Sequence, residues 1–259
     1  ATKDNQLISF VDFAPTLLSL IGKEPLPYMQ GQAFLGKFKA KNEREYIHAA
    51  ADRFDEVTDA IRAVRDKQFK YIRNYRPNQG YYMPIGYREQ IPTMKELLRL
   101  RDEGKLNEVQ KQWFRNSKPV EELFDCKTDP FELNNLANDK DYIKKLEELR
   151  GEMDTWLKSI NDEPNLPESQ LIENLWGGNK TQPITAIPKV NYTNGKVSMS
   201  CETEGASIGY KIKTNNGALP KSWEIYQQPF EISADAELLV QAHRIGFVAS
   251  KFIKLSELK

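Results

Sequence analysis

Histidine and cysteine are the scarcest chemical groups in this chain, with two of each in 259 residues. His48 and His243 are isolated, and the sequence has no HExxH, CxxC, glycine-rich phosphate loop or GxSxG. The local signatures of a zinc protease, a dithiol centre, a nucleotide site and an α/β-hydrolase nucleophile are therefore missing. Cys126 and Cys201 lie far apart without metal-ligand spacing and read as buried small residues. A net charge is also lacking: Lys+Arg and Asp+Glu both number 37. No long-range field draws nucleic acid or an anionic membrane. No run approaches the ~18 apolar residues of a membrane helix. The opening ATKDNQLISF has no charged-then-apolar signal pattern, so a targeting signal is expected outside this chain.

What the chain does have is aromatic mass, with 12 Phe, 11 Tyr and 4 Trp, enough to build cores in a polar composition. In VDFAPTLLSLIG, Asp12 is placed to cap a helix with Leu17, Leu18 and Ile21 on one side and Gly22 at its end. KEPLPYMQGQAFLG is turn-rich. EYIHAAAD, DAIRAVRD and QFKYIRNY predict an antiparallel meander over 45–76, because Asp-rich turns favour hairpins. A Tyr/Pro/Gly loop over 77–92 precedes two helical segments near 93–103 and 105–115. EELFDCKTDPFELNNLA reads as a final strand and an architectural turn begun by Asp129-Pro130. Over 141–159, Leu146, Leu149, Met153, Trp156 and Leu157 recur at helical spacing, which predicts a helix lying on one face of the sheet.

Pro, Gly and Asn then accumulate, and 161–182 reads as a linker whose Leu171, Leu175 and Trp176 are sticky enough to dock on a neighbour. From 183 to 259 the pattern is all-β, with Asn194-Gly195 a hairpin turn. Five or six short strands predict a small sandwich with Tyr210, Trp223 and Tyr226 in or near its core. The expected divisions are 1–36, 37–160, 161–182 and 183–259. The class is α+β: a small antiparallel sheet with packed helices, plus an all-β immunoglobulin-like sandwich.

His48 reads as a packed strand histidine, and His243 likewise. The charged cluster Asp52, Arg53, Asp55, Glu56, Asp59 and Arg62 has two readings. It is a solvated turn laced with ion pairs, or a pocket rim where carboxylates take sugar hydroxyls and an arginine takes an anion. Tyr81, Tyr82 and Tyr87 either stack on sugars or pin their loop. No catalytic residue and no metal ligand stands out.

Four segments in order resemble one family, the type I sulfatases. VDFAPTLLSLIG resembles the helix before their C-terminal subdomain. ADRFDEVTDAIRAVRDKQFKYIRNYRP resembles the strand pair of the heparan N-sulfatase-like group. ELFDCKTDPFELNNLA resembles a recurrent ELYDL…DP…NLA segment, with Phe124 and Cys126 as departures, and DYIKKLEELRGEMDTWL the closing helix. The resemblance implies an alkaline-phosphatase-like fold for a complete enzyme. A formylglycine and a divalent cation, usually calcium, would sit in a catalytic domain upstream. The family's C/S-x-P-x-R motif and its Asp-Asp and Asp-Asn metal ligands are absent here. The expectation is a C-terminal fragment, inactive alone, of a periplasmic, secreted or cell-surface enzyme hydrolysing sulfate esters or sulfamates of glycans, glycosaminoglycans among them. Its expected partners are its own N-terminal catalytic domain and a sulfated glycan, which Arg53, Asp55 and Glu56 would bind. Residues 200–251, with GYKI, Trp223-x-x-Tyr226 and AHRIGF, resemble the C-terminal β-domain of chitobiase and β-hexosaminidase-type proteins, usually an accessory module. The alternative is a non-catalytic carbohydrate-binding or interaction module.

Overall fold

Between Tyr46 and Tyr75 apolar and charged residues alternate, and each alternating run becomes a strand. A computed structural model describes residues 5–213, 217–234 and 236–256, in two units, Ala1–Asn165 and Leu166–Lys259. In the first unit β1 (Ile47–Phe54), β2 (Val57–Arg65), β3 (Phe69–Asn74) and β4 (Glu121–Asp125) form one sheet in sequence order. All its pairings are antiparallel, as the turns predicted. The β2–β3 turn is held by Asp66, whose Oδ1 accepts from the amides of Gln68 at 2.7 Å and Phe69 at 2.6 Å. This local bond is why Asp seeds turns.

Val64, Tyr71 and Leu123 lie side by side across β2, β3 and β4 and are fully buried. The helix α4 (Ile143–Ser159) covers them with Leu146, Leu149, Met153 and Leu157. The 3-4-4 spacing puts these four on one stripe, and each stabilises the fold by ~1.5–3 kcal/mol. Two shorter helices, α2 (Pro92–Asp102) and α3 (Glu108–Trp113), separate β3 from β4. The segment after β4 is architectural, as expected. Asn135 Oδ1 accepts from the amides of Leu123 at 2.9 Å and Ala137 at 3.0 Å, which lashes the return chain along β4.

One expectation fails at the start of the chain. The helix α1 (Phe13–Leu20) follows a 3-10 turn over Phe10–Asp12, but Asp12 does not cap α1 with its side chain. It is buried, and accepts from the amides of Ser9 at 2.8 Å and Gln32 at 2.9 Å and from Arg44 at 2.5 Å. Thr16 Oγ1 accepts from Phe34 N–H at 3.1 Å, and Ser19 Oγ from Phe38 N–H at 2.8 Å. Residues 12, 16 and 19 form one helical stripe, so the polar stripe is the packed one. The segment on it comes so close that a Cβ at Gly31 would lie 1.9 Å from the Val11 carbonyl oxygen. The apolar side faces outward: Phe10 is 88% exposed, Leu17 63% and Ile21 63%, and Val11, Phe13 and Leu20 are exposed too.

In the second unit, the stretch read as a linker carries a helix, α5 (Glu168–Leu175), before Gly177 and Gly178. The strands β5 (Lys189–Thr193) and β6 (Lys196–Ser200) are joined by Asn194 and Gly195, at φ 50° and 78°. Both left-handed, they match the twist of a two-residue hairpin. β6 also pairs with β9 (Phe230–Glu231), giving a three-stranded sheet. A four-stranded sheet runs β11 (Ile253–Leu255), β10 (Glu237–His243), β7 (Ser207–Lys213), β8 (Glu224–Ile225). Val197 and Met199 of one sheet share an apolar cluster with Ile208, Leu238, Val240 and Ala242 of the other. Tyr210 and Tyr226 pack against this cluster, as expected. Trp223 does not: it is 38% exposed and stacks on Phe252 at 5.9 Å. Gly209 leaves room for the indole on the strand surface, where a Cβ would lie 3.2 Å from the ring. Both cysteines are free but half-buried rather than buried.

Candidate functional site

The β1–β2 hairpin closes on two residues, Asp55 and Glu56, with Phe54 opposite Val57. Asp55 adopts φ 51°, a left-handed conformation that Asp tolerates because its short carboxylate can bond locally. The register shifts between Ala51 and Arg53, and such an irregularity re-aims the side chains around it. Arg53, Asp55 and Glu56 thus lie together at one end of the sheet, all exposed. Arg53 is engaged by a neighbour. Glu56 Oε1 accepts from the Gly86 amide at 3.1 Å, which ties the turn to the Tyr/Pro/Gly loop. Its own backbone amide and that of Gly86 hold the Glu56 carboxyl below the usual carboxylate range.

The rest of the charged cluster leaves this end. Arg62 is buried, with Nε 2.5 Å and Nη2 3.1 Å from the two Asp162 oxygens and Nη1 2.7 Å from Asp52. Burial would lower the Arg62 pKa, but the Asp162 and Asp52 carboxylates outweigh it and keep the guanidinium charged. Asp59 pairs with Lys118 inside the unit. The ion-pair reading holds for Asp52, Asp59 and Arg62, each of which meets an opposite charge, while Arg53, Asp55 and Glu56 lie exposed around the turn.

Tyr81 and Tyr82 donate their hydroxyls to Glu122 and Glu89, so both pin their loop, whereas Tyr87 is exposed. His48 stacks on Trp156 at 4.7 Å with Nε2 2.9 Å from Glu152 Oε1. Burial lowers its pKa, Glu152 opposes this and Arg44 adds to it. The half-buried ring borders a cleft of about 510 Å³ shared with Gln30, Gln32, Arg44 and Tyr46. His243 is exposed, 3.1 Å from the Phe247 carbonyl oxygen. Among the described residues no three His, Cys, Asp or Glu side chains converge as a metal site, and no helix is long and apolar enough to cross a membrane. The arginines beside the aromatic loop, Arg88, Arg101 and Arg115, escaped the sequence reading. Their signal was the interleaving of cations and rings in GYREQ and QWFRNS.

No family model matches the chain. Two curated relatives do, both described as "Ulvan-active sulfatase" from Formosa agariphila. One is 66% identical over 255 residues, covering 98% of this chain and 43% of the relative. The other is 27% identical over 175 residues, covering 61% of this chain and 30% of the relative. The chain therefore spans less than half the length of either relative, and it is homologous to a part of each. Among solved structures, a 2-O GAG sulfatase aligns with 58% of this chain and 25% of its own length, at 24% identity and a TM-score of 0.37. A second structure, solved in complex with its substrate D-glucosamine-2-N,6-O-disulfate, aligns over 60% and 25% at 20% identity and a TM-score of 0.38.

Proposed function

We propose that this chain is the C-terminal part of a sulfatase that hydrolyses sulfate esters of a polysaccharide, and that it supplies packing and substrate-recognition surfaces rather than the reacting groups. The observation that carries this reading is the inverted α1. A helix that ties down its polar stripe with Asp12, Thr16 and Ser19 while exposing Phe10, Phe13, Leu17 and Ile21 is built to be covered on its apolar side. We assign that cover to an upstream catalytic domain. The length of the relatives left unmatched leaves room for such a domain.

That domain would hold the formylglycine and a calcium ion, so the 259-residue chain alone should release no sulfate. The Asp55–Glu56 turn would then rim the active site, where Asp55 and Glu56 accept from sugar hydroxyls and Arg53 takes an anionic group. Ulvan is the glycan the curated relatives' name points to. The resemblance of the strand pair to the heparan N-sulfatase-like group favours a glycosaminoglycan as the second reading. The shared cluster under its two sheets supports reading the second unit as an accessory immunoglobulin-like sandwich. A substrate polymer of this size calls for a periplasmic, surface or secreted location. The testing experiment extends the reading frame upstream, inspects it for C/S-x-P-x-R, and assays the longer protein for sulfate release from ulvan and heparan sulfate. No release from either glycan would reject the proposal.

A further inference from the structure

Around residues 77–91 and the helices α2 and α3, arginines and rings interleave. The main chain locks the two stretches together: the Tyr82 amide donates to the Trp113 carbonyl at 3.0 Å, and a Cβ on Gly80 would lie 2.0 Å from the Arg115 carbonyl oxygen. Tyr82 and Phe114 pack at 5.2 Å, and Arg101 lies over both, at 5.7 Å and 5.4 Å. Arg88 lies 5.9 Å over Trp113, and Arg115 5.9 Å over Tyr81.

Most of the described arginines around this sheet are paired with acids. Arg44, Arg62, Arg73, Arg99, Arg101 and Arg150 each meet a carboxylate. Arg88 and Arg115 rest on rings and make no ion pair within contact distance among the described residues, although the Arg115 charge acts on Glu122. The neighbouring carboxylates are already engaged, Glu89 by the Tyr82 hydroxyl and Glu122 by that of Tyr81. A guanidinium resting on a ring keeps its charge and its forked N–H edge for a planar or tetrahedral oxyanion. The patch also adjoins the hairpin end, because Glu56 binds the Gly86 amide two residues before Arg88.

We propose that Arg88 and Arg115, held on Trp113 and Tyr81, form an anion-binding patch for the sulfate groups of a polysaccharide beside the Asp55–Glu56 turn. The proposal rests on reading the chain as part of a sulfatase, and it adds the residues that grip the polymer away from the reacting group. Several weak exposed contacts to one polymer reinforce each other, since the second contact forms within an already bound chain.

The test is affinity electrophoresis of the 259-residue chain at low salt, in gels containing ulvan, chemically desulfated ulvan or polygalacturonate. Glutamine keeps most of the stem on the ring and removes the charge, so the variant is Arg88→Gln with Arg115→Gln. Arg99→Gln, on α2 and paired with Glu96 and Glu103, is the control. We expect ulvan to retard the wild-type chain, desulfated ulvan and polygalacturonate to retard it much less, and the double variant to bind about tenfold or more weakly, with Arg99→Gln unchanged. Failure of ulvan to retard the wild type overturns the proposal. So does a folded double variant that binds as the wild type does, or equal retardation by the desulfated polymer. If the double variant loses its fold, Arg88→Gln alone decides: an approximately threefold loss or more supports the patch, a smaller one overturns it. Because binding is read without catalysis, its failure and that of the sulfate-release assay are separable.

Discussion

Lys118 and Asp59 meet in an ion pair whose side chains are 0% and 1% exposed, closing the chain before β4 onto strand β2. Asp59 also accepts from the Ala60 amide at 2.8 Å, and the Lys118 amide donates to the Pro77 carbonyl at 2.9 Å. Removing one partner strands the other charge out of water, which costs ~3–5 kcal/mol. Lys118→Met should lower stability by that amount in urea titrations. Lys118→Met with Asp59→Asn should recover a large part of the loss. A single-variant loss below ~1 kcal/mol would mean that water reaches the pair.

Acid sensitivity should trace to His48. Burial depresses its pKa below the ordinary 6.5, despite Glu152. Below that value the unfolded chain takes up a proton that the folded chain resists, so stability falls as the pH drops through the folded pKa. The melting temperature should therefore decline from pH 7 to pH 5, and His48→Gln should flatten the slope. An unchanged slope in His48→Gln would assign the acid limb to other groups.

At the hairpin tip, Asp55 holds φ 51°. Asp55→Gly should be neutral or mildly stabilising, whereas Asp55→Val should cost ~1–2 kcal/mol. Chemical denaturation of both variants checks this, and equal stability would show that the turn relaxes freely.

Substrate recognition makes a separate demand on Arg53 and Glu56. In the longer protein, Arg53→Ala and Glu56→Ala should each lower kcat/KM by a factor corresponding to ~1.5–3 kcal/mol, with melting temperatures nearly unchanged. Unchanged kinetics on ulvan would return the turn to a solvated role.

The meander and its covering helix were legible because period 2 and period 3.6 each recur over several turns of chain, in β1–β3 and in Leu146, Leu149, Met153 and Leu157. The Asn194-Gly195 hairpin was legible from the φ > 0 preference of those two residues. The inverted α1 was not, since periodicity reports which residues share a face and not which face is covered. Nor was the division of the 52–62 charges, because Asp162 reaches Arg62 and Lys118 reaches Asp59 from remote parts of the chain. The Trp223 pattern was legible as a strand signal, but Trp223 stands just before β8, and Gly209, paired with Ile225, leaves room for its ring on the sheet surface instead of under it.

The most direct test of the account is the exposure of the α1 face. Hydroxyl-radical footprinting should label Phe10, Phe13 and Leu17 strongly in the 259-residue chain. In the longer protein carrying the upstream region, the account predicts strong protection of the same three residues in preparations that release sulfate from ulvan. Equal labelling of Phe10, Phe13 and Leu17 in both proteins would contradict it.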